Sequence, residues 1–361
     1  MNRWRTLLPG ISQNAAPGAW NSAVMLLVFL LISQVSELSV KSAHGTDTTE
    51  HRQLIKKYAR PASIPSPADN APTSERIMLG KALFFDPRLS ASNWISCGTC
   101  HNPALSWGDG LAKGLGHGMK QLGRRTPTLL NVAWASTLFW DGRAETLEEQ
   151  ALGPITAPGE MNLPAQKMIE KIDTIAAYKP LFGKAYPHEP INEKTVAKAI
   201  AAFERTLVSD KAPFDEWIAG DENAISEPAK RGFVLFNTRG NCVQCHSSWR
   251  FTDDSFHDIG VRGADRGRGA LMKNIAIMQF AFKTPTLRNV DHRAPYMHNG
   301  SEKTLEEVIE LYNIGGRTKR PSLSSLMKPL GFTAHEKHDL AMFLKSLTSK
   351  DPPIELPILP R

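Results

Sequence analysis

Apolar residues recur along much of this chain at the spacing of one helical face, whereas the alternation typical of strands is scarce. Between residues 195 and 207 the recurring apolar positions are Val196, Ala199, Ile200 and Phe203. A threonine followed three residues later by a glutamate, the pattern of a capping box, opens two more apolar stretches, at Thr146 and at Thr304. The pattern therefore predicts a mainly α-helical protein with long loops.

Composition limits the class of protein. Of the 361 residues, 41% are apolar and 22% are charged, which is typical of a globular protein and excludes an intrinsically disordered chain. No apolar run reaches the roughly 18 residues of a spanning helix, so a polytopic membrane protein is excluded as well. The 43 Lys and Arg exceed the 36 Asp and Glu by seven. This excess is spread along the chain, which indicates a solvated surface and no nucleic-acid partner.

An internal repeat organises the chain. Residues 126–149 and 284–307 align without a gap at an offset of 158, with 11 of 24 positions identical. The segment Gly80–Phe84 likewise resembles Gly232–Phe236. We therefore predict two domains related by internal duplication, covering residues 44–210 and 211–361.

The four cysteines carry the strongest chemical signal. All of them stand in two C-x-x-C-H motifs, which are Cys97, Cys100 and His101, and Cys242, Cys245 and His246. This spacing is that of covalent haem c attachment, in which each thiol bonds a haem vinyl group and the adjacent histidine binds the iron. The alternatives are a zinc site or a redox disulfide, but neither needs a histidine directly after each pair. The sequence thus predicts two cytochrome-c-like haem domains, with His101 and His246 as ligands of the two irons.

The N-terminus has the features of an export signal. Arg3 and Arg5 precede an apolar stretch at residues 24–32, and the small residues Ser42 and Ala43 follow it. We predict a signal peptide over residues 1–43, a periplasmic protein and no membrane span in the mature chain. An uncleaved membrane anchor is the alternative.

The repeat predicts that the two irons differ. Its offset of 158 aligns Tyr312, which lies on the apolar face opened by Thr304, with Pro154 of the first copy. Tyrosine is a known iron ligand, so Tyr312 is predicted to bind the second iron. The alternative is a core tyrosine with a hydrogen-bonded hydroxyl. Proline has no ligating atom, so the first iron is predicted to be open to a small ligand such as hydrogen peroxide.

Two polar residues flank Pro154 in the sequence and are candidates for handling peroxide. Cleavage of the O–O bond requires a group that moves a proton from one oxygen to the other. Glu160 is the predicted general acid/base, and Gln150 is its predicted hydrogen-bonding partner. The alternative for each is an ordinary surface residue.

Taken together, these motifs resemble those of the bacterial di-haem cytochrome c peroxidase/MauG family, over residues 79–348. The resemblance rests on both C-x-x-C-H motifs and on four further segments, at residues 139–143, 147–155, 285–289 and 294–300. It implies that Trp140 carries electrons between the haems and that Glu160 and Gln150 lie on the open side of the first haem. Peroxidases of the family have methionine at the position of Tyr312, whereas MauG-like proteins have tyrosine.

The MauG-like resemblance implies an enzyme that uses hydrogen peroxide to reach a high-valent, bis-Fe(IV)-type state. Such an enzyme oxidises Trp or Tyr residues of a partner protein. The alternative is a peroxidase that reduces peroxide with electrons from a small cytochrome or copper protein. A third possibility, a di-haem electron carrier, is opposed by Pro154, because a carrier gains nothing from an iron open to peroxide.

The resemblance also bears on three further positions. His117 matches a histidine that can bind the first iron until reductive activation; the alternative is a mobile surface histidine. A calcium ion between the haems would use the carbonyls of Arg293 and Pro295, but Arg125 replaces the asparagine that supplies a third oxygen. The tryptophan from which a MauG protein oxidises its partner is Gly240 here. Other candidates for that exit, or for simple packing, are Trp94, Trp217 and Trp249.

Overall fold

Helices and long loops make up nearly all of the computed structural model, which describes residues 56–361. The α-helices are α1 (Ser74–Phe85), α2 (Cys97–Cys100), α3 (Leu147–Thr156), α4 (Ala165–Thr174), α5 (Tyr178–Ala185), α6 (Glu193–Glu204), α7 (Pro213–Ile218), α8 (Glu227–Asn237), α9 (Leu305–Asn313) and α10 (Ala334–Ser346). Two short strands, β1 (Phe256–His257) and β2 (Phe282–Lys283), pair antiparallel. The prediction of a mainly α-helical protein is confirmed.

Both predicted capping threonines begin a helix. The Thr146 hydroxyl accepts a hydrogen bond from the Glu149 backbone N–H at the start of α3, and Thr304 does the same for Glu307 at α9. These bonds satisfy an N–H group that has no partner within the helix. The two α-helices that carry Pro154 and Tyr312 therefore begin in the same way.

A glycine lies at the crossing point of the main helix pair in each half of the chain. Gly80 of α1 faces the Ala199 carbonyl of α6, and Gly232 of α8 faces the Asp339 carbonyl of α10. A β-carbon at either position would collide with that carbonyl oxygen, so only glycine allows the helices to approach so closely. The two pairs lie on either side of the predicted domain boundary at residues 210/211, which stays a prediction.

Replacing Gly80 with alanine is expected to lower the free energy of unfolding by about 1–3 kcal/mol, the usual cost of overpacking a core. Gly183, inside α5, is the matched control because no atom lies near its added β-carbon. There alanine is expected to stabilise the helix by about 0.5–1 kcal/mol. Denaturant unfolding of both variants checks this. Equal stability of the two variants would contradict the close crossing.

Aromatic side chains form a large part of the packing in both halves. In the first half Phe84 packs edge-on against Trp107 and Phe203. The second half has a larger cluster, composed of Tyr58, Phe214, Phe233, Phe236, Phe251 and Phe343. Next to each cluster the helices leave a cavity that contains one of the C-x-x-C-H motifs.

Two predictions concern the membrane and the N-terminus. Within residues 56–361 no helix is both long and apolar enough to cross a bilayer. The predicted signal peptide over residues 1–43, together with its alternative as a membrane anchor, lies outside the described residues.

Candidate functional site

The first cavity has a volume of about 530 Å³, and Cys97, Cys100 and His101 form part of its wall. The His101 Nδ1–H donates to the carbonyl of Trp107 at 3.0 Å, which assigns the proton to Nδ1 and leaves Nε2 as the lone-pair nitrogen. Burial lowers the pKa of His101, so the ring is neutral. A neutral imidazole with its second nitrogen held by a carbonyl is the form that binds a metal.

The second cavity, of about 200 Å³, repeats this arrangement around Cys242, Cys245 and His246. The His246 Nδ1–H donates to the Phe251 carbonyl at 2.9 Å, and burial lowers the pKa of this ring too. The four thiols are not joined in disulfides. Each cavity therefore presents two thiols and one oriented imidazole, the set that covalent haem attachment needs.

Three residues singled out in the sequence line the first cavity: Gln150 and Pro154 of α3, and Glu160 in the loop after that helix. Burial raises the pKa of the Glu160 carboxyl, while the charge of Arg143 partly opposes the shift. A raised pKa makes this carboxylate a stronger proton acceptor than an ordinary surface carboxylate. The structure therefore brings a proline without a ligating atom and the predicted general acid/base into one cavity.

Tyr312 of α9 lines the second cavity together with Cys242, Cys245 and His246. Within the described residues neither its hydroxyl nor that of Tyr296, which lines the same cavity, makes a hydrogen bond. The other three tyrosine hydroxyls do: Tyr58 to Asn237, Tyr178 to Asp86 and Tyr186 to Asn70. Burial raises the pKa of Tyr312, so ionisation of this phenol requires a nearby cation. The alternative of a core tyrosine hydrogen-bonded at its tip does not match this geometry.

Trp140 lines both cavities. Its indole N–H donates to the Arg125 carbonyl at 2.8 Å, which orients the ring. The ring lies edge-on to His298 at 6.4 Å, and His298 in turn stacks on Phe282 at 3.6 Å. A series of aromatic rings thus runs from the wall shared by the cavities along the second one.

The remaining candidates lie elsewhere. His117 does not line the first cavity: its backbone N–H donates to the Gly159 carbonyl next to Glu160, and its Nδ1 is buried with no partner in the described residues. A role on the first iron stays a prediction. Of the candidate exit tryptophans, Trp217 and Trp249 are buried, while Trp94 is 53% exposed and comes three residues before Cys97.

Comparison with known proteins identifies the family. A family model described as di-haem cytochrome c peroxidase matches residues 74–223. The chain is 51% identical over 310 residues to the methylamine utilization protein MauG of Methylorubrum extorquens, covering 85% of this chain and 88% of that protein. The chain belongs to the di-haem cytochrome c peroxidase/MauG family. Its members are oxidoreductases with haem cofactors, so the prediction of a haem-dependent oxidoreductase is confirmed.

A further relative and a solved structure support membership of the same family. MauG of Methylophilus methylotrophus is 49% identical, covering 84% of this chain and 92% of that protein. The crystal structure of a MauG-like protein associated with microbial copper homeostasis superposes with a TM-score of 0.74 at 31% identity, covering 81% of this chain and 95% of that one. The fold expected of a di-haem cytochrome c peroxidase/MauG protein is therefore present.

Buried cationic side chains line the first cavity, and their positive charge complements the negative charge of the haem that proteins of this family bind. Arg125 and Arg250 both line this cavity, and the Nε–H of each is buried without a hydrogen-bond acceptor in the described residues. Lys283 lines it too, and burial lowers the pKa of its ammonium group. Arg250 and Lys283 already pair with Asp254, so the donors without partners are the two Nε–H groups. Buried donors without acceptors are costly, and the carboxylates of a haem would supply acceptors. The donor set therefore fits an anionic cofactor.

Arg125 also bears on the calcium prediction. Its Nη2–H donates to the Arg293 carbonyl at 2.7 Å, the oxygen that a calcium ion would have used. Burial lowers the pKa of both arginine side chains, and in Arg293 the neighbouring charge of Arg125 adds to the effect. A guanidinium that already donates to this oxygen competes directly with a divalent cation there.

One residue of the first cavity was missed by the sequence reasoning. Glu204, the last residue of α6, is buried and lines the cavity with its Oε2 atom lacking any partner in the described residues. The sequence does offer one indication of this position. Glu204 follows Ile200 by four residues, so the two side chains lie on the same face of the helix, and both line the first cavity.

Proposed function

We propose that this protein is a periplasmic di-haem enzyme that uses hydrogen peroxide to oxidise Trp or Tyr residues of a partner protein. The observation that carries the proposal is the difference between the cavities. The second contains Tyr312, whose hydroxyl makes no hydrogen bond to any residue of the range 56–361, and the first has Pro154 at the aligned position. A phenolate oxygen stabilises oxidised iron, so such a centre is suited to withdrawing electrons from a substrate and poorly suited to relaying them to peroxide.

In this proposal the first cavity is where peroxide reacts. Cys97 and Cys100 would hold the haem, His101 Nε2 would bind its iron, and Pro154 offers no atom that could compete with peroxide for that iron. The Glu160 carboxylate accepts the proton from one peroxide oxygen and returns it to the other, which lets the O–O bond break with water as the leaving group. Gln150 positions peroxide by hydrogen bonding. The haem, when bound, supplies an iron that exchanges electrons with peroxide.

Cys242, Cys245 and His246 hold the second haem, and Tyr312 supplies its remaining iron ligand. Trp140 is proposed to pass electrons between the two sites because it lines both cavities and is held by its hydrogen bond to Arg125. Electrons taken from the partner protein then reach the first site without peroxide meeting the partner. This separation protects the partner from direct attack by the oxidant.

The guanidinium of Arg125 is proposed to take the role that a calcium ion would have between the haems. Its hydrogen bond to the Arg293 carbonyl supports this assignment. The internal duplication is also part of the proposal, supported by the matched caps of α3 and α9 and by the glycine crossings at Gly80 and Gly232. Export follows from the N-terminal sequence.

The second candidate is a peroxidase that reduces hydrogen peroxide with electrons from a small cytochrome or copper protein. The family description and His117 favour it. His117 lies in the loop that packs on Gly159, directly before Glu160, so a shift of this loop would alter the first cavity. Such an enzyme needs reduction before it reacts with peroxide.

Adding one equivalent of hydrogen peroxide to the fully oxidised protein, without any reductant, separates the two candidates. We expect an immediate and long-lived change in the haem absorption spectrum, because a second centre with a phenolate ligand shares the oxidising equivalents. A peroxidase in which His117 blocks the first iron would show no change in the haem absorption spectrum until one electron had been supplied. That result would favour the second candidate over the first.

A further inference from the structure

Glu204 is a buried carboxyl that the proposed peroxide chemistry does not use. It ends α6, is 4% exposed and lines the first cavity. Its Oε2 atom is buried and has no hydrogen-bond partner in the described residues. An isolated carboxylate in such a position is costly, so the group is either neutral or paired with a charge that enters the cavity.

The charged neighbours of Glu204 do not neutralise it. Arg205 directs its guanidinium to Glu148 of α3, with two hydrogen bonds of 2.8 Å. Residues 132–138, part of which line the same cavity, include no titratable side chain. Burial raises the pKa of Glu204 to about 8, with Arg205 opposing the shift and Glu148 adding to it. The carboxyl is therefore poised to titrate near neutral pH.

Glu204 also lies close to the attachment point of the first haem. Its charge raises the pKa of the Cys97 thiol, after the larger effect of burial. A positive charge that appears on the cofactor would favour the carboxylate form of Glu204, and removal of that charge would favour the acid. Arg125, Arg250 and Lys283 line the same cavity, but the charges that act on Glu204 are those of Arg205 and Glu148. In a buried site a coupling between two charges is strong.

We propose that Glu204 is the group that exchanges a proton when the first haem changes its oxidation state. When the ferrous iron loses one electron to an external acceptor, the Glu204 carboxyl releases one proton to solvent. When the ferric iron gains an electron, the carboxylate takes a proton back. The cavity thus keeps its net charge during electron transfer. This inference rests on the proposed haem in the first cavity and is independent of its reaction with peroxide.

The test is the midpoint potential of the first haem between pH 6 and pH 10, measured by spectroelectrochemistry without peroxide. The potential of the wild-type protein is expected to fall as pH rises, with a slope that approaches about 59 mV per pH unit, the one-electron equivalent of a tenfold change in concentration. Glu204→Gln is expected to lose this dependence, and Glu204→Asp to retain it. An unchanged slope in Glu204→Gln overturns the proposal.

Two controls separate Glu204 from other carboxyls. Glu193, exposed at the start of the same helix, should leave the slope unchanged when replaced by glutamine. Glu160→Gln, in the same cavity, should reduce the slope less than Glu204→Gln does, and a larger reduction would overturn the proposal. A redox-difference infrared spectrum of the wild-type protein needs no variant: a protonated-carboxyl band should disappear on oxidation. Absence of that band also overturns the proposal, and neither result depends on turnover of peroxide.

Discussion

Glu160→Gln is expected to slow the reaction of the oxidised protein with hydrogen peroxide by about 10²–10⁴-fold, the usual contribution of a general acid/base. Glutamine keeps the size and polarity of the side chain but cannot accept the proton of peroxide. Peroxide binding should persist because the open side of the first cavity, at Pro154, is unaltered. Stopped-flow absorption spectroscopy at increasing peroxide concentrations separates the binding step from the step that follows.

The pH profile supplies a second measurement on Glu160. Burial raises the pKa of this carboxyl, and only the carboxylate form accepts a proton. The wild-type rate should therefore fall as pH decreases through this raised pKa, and the Gln variant should lose that limb. Glu145→Gln is the control, because Glu145 is exposed and does not line the cavity. Unchanged kinetics in Glu160→Gln would remove this residue from the mechanism.

Tyr312→Phe is expected to raise the midpoint potential of the second haem by on the order of 100 mV, within the ~0.8 V range that axial ligands span. The same change should abolish oxidation of a partner protein. Phenylalanine preserves the ring but removes the oxygen that stabilises the oxidised iron. Redox titration and the absorption spectrum of the second haem report the loss of this ligand directly.

Tyr186→Phe is the matched control for Tyr312→Phe. The Tyr186 hydroxyl donates to Asn70 Oδ1 in the first half of the chain, and Tyr186 does not line either cavity. Its removal should cost about 1 kcal/mol of unfolding free energy and leave both potentials unchanged. Tyr312→Phe should show the opposite pattern, since its hydroxyl makes no hydrogen bond to the residues that the structure describes. If Tyr312→Phe altered stability alone, Tyr312 would be a packing residue.

Several features of this protein follow from local sequence. The motifs at Cys97–His101 and Cys242–His246 predict where haem is attached, because thioether chemistry needs two thiols and a histidine at this short spacing. The caps at Thr146 and Thr304 form as their patterns predict, since a cap depends only on residues within one helical turn. The alignment of Pro154 with Tyr312 likewise needs nothing beyond the repeat.

Other features required the fold. No local pattern shows that Trp140 lines both cavities or that Arg125 donates to the carbonyl of Arg293, 168 residues later. The sequence also did not distinguish exposed Trp94 from buried Trp249, because exposure depends on what packs around each ring. His117 lies outside the first cavity for a similar reason, since the backbone of its loop packs on Gly159.

The sequence by itself determined the mainly helical architecture, and it predicted the chemistry of haem attachment and the inequivalence of the two aligned segments, all of which depend on residue type and short-range spacing. Only the tertiary structure decided which polar groups share a cavity and which of them lack partners. Glu204 shows why: its burial and its unpaired oxygen result from the packing of distant segments around α6. The free-energy cost of burying a charge depends on all the groups that surround it, and these come from segments far apart in the sequence.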